Sequence, residues 1–129
     1  MKVKTDTKEK FHAISVETSN LSANMAADLG GQLIKLLQSS NRNIVLKLAL
    51  VNSLDKEAAE VLVKLQQKFY ESNASFVICG LTPQVEKFLD TESLLELMNV
   101  TPTESEAWDI IQMEEIEREL LGDENEEYN

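Results

Sequence analysis

The chain has 129 residues, 43% of them hydrophobic, which suffices for one compact domain with a tail and is too little for two independent cores. With 23 acidic residues against 12 basic ones the formal charge is -11, so contact with nucleic acid or an acidic membrane would work against repulsion, and nucleic-acid binding is set aside as an activity. A single cysteine, no apolar leader and no uncharged run near the ~18 residues of a bilayer span predict a cytoplasmic protein without direct membrane insertion.

Taken in order, Val3 to Thr7 and Phe11 to Glu17 are β-branched segments separated by Lys8-Glu9-Lys10, the pattern of a hairpin. Ser22 then stands as N-cap to a helix with the apolar stripe Met25, Leu29, Leu33, Leu36 and Leu37. Gly30-Gly31 lies inside that helix at a cost of about 1 kcal/mol per Gly relative to Ala, which packing has to offset. The run Ile44, Val45, Leu46, Leu48, Leu50 and Val51, interrupted by Lys47, predicts a strand covered on both faces. Asn52-Ser53-Leu54-Asp55 breaks the pattern as an acidic turn. With Asp55 as its cap, a helix follows whose inner face is Leu54, Ala58, Val61, Leu62, Leu65 and Phe69.

Ser75 to Cys79 is a second short apolar strand. A strand, helix, strand unit of this kind makes a parallel pair with a right-handed crossover, and it puts the Asn52–Asp55 turn at the carboxyl edge of the sheet. Thr82-Pro83 supplies the cap and first residue of another helix with Val85, Phe88 and Leu89 inside. Leu94 to Val100 ends in a very short edge strand, and Thr103-Glu104-Ser105-Glu106 is a capping box for a last helix. Composition changes at Glu114. From there eight acids face one Arg118, so -7 of the formal -11 falls in residues 114–129. Ile116, Leu120 and Leu121 carry the helix a turn or two further and Gly122 is expected to stop it. The division is thus a domain at 1–113 and an acidic helix end and tail at 114–129, the tail being a solvated end or a partner-binding arm.

The inventory is poor in catalytic chemistry. His12 sits on a predicted strand as a structural or surface residue, Cys79 is a small buried hydrophobe, and Trp108 is a packing residue of the last helix. No His, Cys or carboxylate cluster has metal-ligand spacing, and Gly30-Gly31 lacks the Lys-Ser/Thr of a phosphate loop. No catalytic residue, metal or cofactor is expected.

Three segments carry a family resemblance: Arg42-Asn43-Ile44-Val45-Leu46-Lys47-Leu48, Leu54-Asp55-Lys56-Glu57-Ala58-Ala59, and Phe76-Val77-Ile78-Cys79-Gly80-Leu81-Thr82-Pro83-Gln84-Val85. Their order resembles the STAS domain, named for sulfate transporters and anti-sigma factor antagonists, over about residues 10–113. The resemblance implies a single α/β domain with a mixed four- to five-stranded sheet and about four flanking helices. It also places the family's phosphorylatable Ser on Lys56, the next Ser or Thr on Glu57, the Gly-Leu pair on Ala58-Ala59, and an acidic position before the first helix on Ser22. In the family a partner kinase, which is also the anti-sigma factor, phosphorylates that Ser, and the charge of about -1.5 to -2 breaks the complex. Lysine has no hydroxyl to accept the group.

The resemblance therefore implies a non-catalytic regulatory module that binds a kinase-like anti-sigma factor or a signalling scaffold without the usual switch. Its partner-binding residues are expected to be Asp55, Lys56, Glu57 and Glu60, with Ser22 and Ser53 nearby. Ser53, three positions before Lys56, is the substitute phosphoacceptor to consider. Two further readings stand beside it: a small soluble adaptor subunit of a lipid or solute transport ATPase, and a nucleotide- or lipid-sensing domain. The oligomeric state is left open.

Overall fold

In the computed structural model, which describes residues 1–128 and the side chains of residues 1–121, the chain opens with an antiparallel hairpin of β1 (Val3–Thr7) and β2 (His12–Val16). There follow β3 (Asn20–Leu21), α1 (Ala23–Ile34) with a 3-10 turn at Lys35–Gln38, β4 (Ile44–Lys47), β5 (Ser53–Leu54) and α2 (Lys56–Glu71). The remainder is β6 (Phe76–Cys79), α3 (Pro83–Thr91), a 3-10 turn at Leu95–Leu97, β7 (Val100–Thr101) and α4 (Glu104–Tyr128).

The main sheet has five strands in the order β1-β2-β4-β6-β7. Only β1 is antiparallel to its neighbour; β2, β4, β6 and β7 run parallel, with Ile44 opposite both His12 and Phe76. This is the single mixed α/β domain with four helices that the sequence indicated.

Side-chain alternation along the strands divides the core in two. Ile14, Ile44, Leu46, Phe76 and Ile78 point to one face, where Ala26, Leu29 and Leu33 of α1 and Ala58, Leu62, Leu65 and Phe69 of α2 cover them. Ala13, Val45, Val77 and Cys79 point to the other, against Ala107 and Ile111 of α4. Both faces of β4 and β6 are thus covered, which is why Ile44–Leu46 and Phe76–Cys79 read as apolar runs. Trp108 extends the second layer by packing its ring on Phe11 at 5.5 Å.

Neither glycine of α1 is demanded by crowding around it. Gly30 is buried beside Leu65, whose nearest methyl would stand 3.7 Å from an added Cβ, and Gly31 has nothing within 4 Å of that position.

Three expectations need correction. The apolar run through Val51 is not one strand: β4 ends at Lys47, and the Val51 N–H donates to the Leu48 carbonyl at 3.0 Å to close a turn that leaves Leu50 59% exposed. The segment read as a pattern break instead contains β5, which pairs in parallel with β3 as a separate two-stranded sheet, Asn20 with Ser53 and Leu21 with Leu54. Gly122 does not end the last helix, since α4 continues to Tyr128; a single Gly costs a helix interior only about 1 kcal/mol and stops it only where the chain also turns left-handed. The compositional boundary at 113/114 consequently falls inside α4.

Candidate functional site

At the carboxyl edge of the sheet the chain leaves β4, turns at Ala49-Leu50, and reaches the start of α2 through Asn52–Asp55. Backbone bonds hold this loop from one side: the N–H groups of Asn52 and Ser53 both donate to the Ser19 carbonyl, at 2.8 and 3.1 Å, and that of Asp55 donates to Leu21 at 3.2 Å. Side chains repeat the attachment. The Asn52 amide donates to Ser19 Oγ at 3.1 Å, and the Ser53 hydroxyl donates to Asn20 Oδ1. On the other side Thr82 Oγ1 donates to the Val51 carbonyl at 3.2 Å, and the Gln84 amide donates to Asn52 at 2.9 Å. A loop held at both flanks is a fixed platform, and its outward side chains are placed by the fold.

Asp55 occupies the N-cap position of α2 with extended backbone, but its carboxylate makes no capping bond and stays exposed. Only its carbonyl enters the helix, accepting from Ala59 N–H at 3.0 Å. Lys56, Glu57 and Glu60 are exposed on the first turn while Ala58, Ala59 and Leu62 are buried, so the turn has an inner apolar side and an outer charged one. The Lys56 ammonium lies 3.6 Å from a carboxylate oxygen of Glu92, the C-cap of α3. Carboxylates are favoured at a helix start, so Asp55 and Glu57 offset a cation that the helix dipole disfavours there.

Ser22 belongs to the same neighbourhood. It follows Leu21 as Asp55 follows Leu54, and those two leucines are partners across β3 and β5. Its hydroxyl caps α1 by accepting from Met25 N–H at 3.3 Å. The structure therefore brings Ser22, Ser53, Asp55, Lys56, Glu57 and Glu60 to one edge of the fold. Beside them, Asn52, Ser53 and Gln84 rim a cleft of about 460 Å³ with Leu54, Val85 and Phe88 as its apolar walls.

The groups that could suggest catalysis have structural partners. His12 Nε2 lies 3.0 Å from the Asn41 carbonyl, which can only accept, so Nε2 carries a proton; Nδ1 shares a hydrogen bond with Thr7 Oγ1 at 2.9 Å. Burial pushes the Cys79 thiol up from its ordinary value of 9.0, with Lys47 pulling the other way. Among the described residues no group of three His, Cys, Asp or Glu side chains is placed to hold a metal ion, and no helix is long and apolar enough to cross a membrane.

The sequence model of the STAS domain matches residues 4–107. The chain belongs to the STAS domain family. By sequence, no curated protein matches it. Among solved structures this STAS domain is similar to a Thermotoga maritima protein, with TM-score 0.73, 19% identity, and coverage of 84% of this chain and 86% of that one. It is also similar to an anti-sigma-factor antagonist (STAS) domain protein from Planctomyces limnophilus, with TM-score 0.71, 17% identity and coverage of 85% and 97%. A third is an anti-sigma factor antagonist from Mycobacterium paratuberculosis, with TM-score 0.71, 15% identity and coverage of 86% and 93%. At these identities the likeness is one of fold.

Several parts of this edge escaped sequence reasoning. Ser19 and Asn20, which carry the loop, have no pattern that announces a two-residue strand. Glu92 joins Lys56 across 36 positions of sequence. Leu50 could not be told from a core residue, because its exposure follows from where β4 stops.

Proposed function

We propose that this STAS domain is a cytoplasmic, non-catalytic regulatory module that binds a kinase-like anti-sigma factor or a signalling scaffold through Asn52–Asp55 and the first exposed turn of α2. The observation that carries this reading is Lys56, 53% exposed in a fixed turn at the carboxyl edge of the sheet, where the resemblance puts the family's phosphoacceptor. Asp55, Glu57 and Glu60 surround it with carboxylates, and Leu50 adds an exposed apolar group on the neighbouring turn. A surface of fixed charges around a small apolar centre suits recognition of a protein surface.

A phosphorylated Ser or Thr at this position would add about -1.5 to -2 charge beside Asp55 and Glu57 and break a complex by repulsion. Lys56 cannot follow that route, so the module stays permanently competent to bind. Ser53 is the less suited substitute acceptor, its exposed hydroxyl already donating to Asn20 three positions before Lys56.

Affinity purification from the native host tests the reading. The wild-type chain is expected to retain an ATP-binding, kinase-like partner that Lys56→Glu releases. Intact mass after incubation with that partner and Mg-ATP is expected to stay unchanged. A partner held equally by both forms would contradict the proposed surface, and addition of one phosphoryl group would contradict the lost switch.

A further inference from the structure

The last helix is apolar on two sides, and the fold uses only one of them. Ala107 and Ile111 are buried against the sheet, and one and two turns later Glu114 and Arg118 reach Ser75 at the start of β6. At 3.6 residues per turn Met113, Ile116 and Leu120 fall on the opposite side. They are 61, 57 and 59% exposed and spaced i, i+3, i+7. Single exposed apolar residues are ordinary on a protein surface, but three in one helical stripe form a continuous strip.

Its rim has one sign. Asp109, Glu117 and Glu119 are exposed on this helix, and the one cation from Glu104 to the end of the sequence, Arg118, is turned inward, donating to Ser75 Oγ at 3.2 Å. The strip also lies away from the Asp55 loop. α4 begins at the carboxyl edge, where Glu104 pairs with Lys47 at 3.0 Å, and runs down the sheet to the opposite edge, where Glu114 accepts from Ser75 at 2.6 Å.

From this placement we infer that the outward face of α4 is a second docking surface, whose occupant is a basic amphipathic helix of a partner protein. Apolar anchors at i, i+3 and i+7 are the pattern by which one helix docks on another apolar surface, and lysines or arginines on the occupant match Glu117 and Glu119. A second copy of this chain is disfavoured, because its own α4 face carries the same acidic rim and offers no outward lysine or arginine to meet Glu117 and Glu119. The module would then hold two partners at once, one at each end of the sheet.

The probe is a fluorescent 18-residue peptide with leucine at i, i+3 and i+7 and lysine on its flanks, titrated with the full chain and followed by anisotropy. Binding is expected, and a Met113→Ser, Ile116→Ser, Leu120→Ser variant, which keeps the net charge, is expected to weaken it at least tenfold. Glu117→Gln with Glu119→Gln should weaken it several-fold and flatten its salt dependence. Tyr70→Ser, an exposed aromatic on α2, should change nothing. All the altered side chains are more than half exposed or carry solvated charge, and Ile116→Ser alone, with its circular dichroism checked, repeats the test if the triple variant folds poorly. Absence of binding, or equal binding by the serine variants, overturns the inference. Sedimentation showing a dimer that Ile116→Ser dissociates would also overturn it, assigning the face to a second copy.

Discussion

The Lys56 ammonium and the Glu92 carboxylate lie 3.6 Å apart, joining the first residue of α2 to the end of α3 across the candidate docking edge. Both side chains are well solvated, so the pair adds no more than about 1 kcal/mol to stability. Lys56→Glu puts a carboxylate opposite Glu92 and also places one at a helix start, effects of opposite sign and similar size. Its unfolding free energy in urea is therefore expected to stay within about 0.5–1 kcal/mol of wild type. Any loss of partner binding by this variant can then be assigned to the surface and not to unfolding.

Ser75 ties the acidic half of α4 to the sheet. Its buried hydroxyl donates to Glu114 at 2.6 Å and accepts from Arg118 at 3.2 Å, while Asn99 donates to the other Glu114 oxygen at 3.3 Å. Ser75→Ala removes two charge-assisted bonds but leaves Glu114 and Arg118 with each other and with water. A loss of about 1–2 kcal/mol is expected. Hydrogen exchange should rise in α4 beyond Ile111, with β4 and β6 unchanged.

The glycines of α1 offer a gain. At Gly31 an added Cβ meets nothing within 4 Å, and the residue is interior to the helix, so Gly31→Ala is expected to stabilise the protein by about 0.5–1 kcal/mol in urea unfolding. Gly30→Ala should be at least neutral, its new methyl resting in ordinary contact with Leu65 at 3.7 Å. A loss at Gly31 would show that the space seen there is closed in solution.

Burial raises the Cys79 thiol above its ordinary 9.0. The folded state therefore holds this proton more tightly than the unfolded chain does, and the contribution to stability is complete below pH 9 and falls as pH rises past it. Cys79→Val, which keeps the apolar contacts of β6 against α4, should flatten that part of the alkaline decline. Thiol labelling at pH 8 should be slow in the native protein and fast in denaturant.

Periodicity exposed most of the framework. The hairpin, the covered runs at β4 and β6, the α2 stripe ending at Phe69 and the Thr82-Pro83 start of α3 all follow from local pattern, because each element meets the same kind of surface along its length. Legibility ended where position depends on distant partners. Leu50 reads like Leu48, and only the turn between Leu48 and Val51 makes one exposed and the other buried. The β3 and β5 strands have two residues each and exist only because Asn20 and Leu21 find Ser53 and Leu54. At the candidate docking edge, Asp55, Lys56, Glu57 and Glu60 could be chosen from helix spacing and family resemblance. The Glu92 partner and the Ser19-Asn20 support could not, since both are tertiary contacts.

Hydrogen exchange on the chain alone and in complex with its native partner is the most direct measurement of where that partner sits. Slowed exchange across Asn52–Glu60, abolished when Lys56→Glu is used, is the predicted result. Exchange at Asn52–Glu60 that is the same free and bound, in a complex that is otherwise saturated, would contradict the placement of the binding surface at this edge.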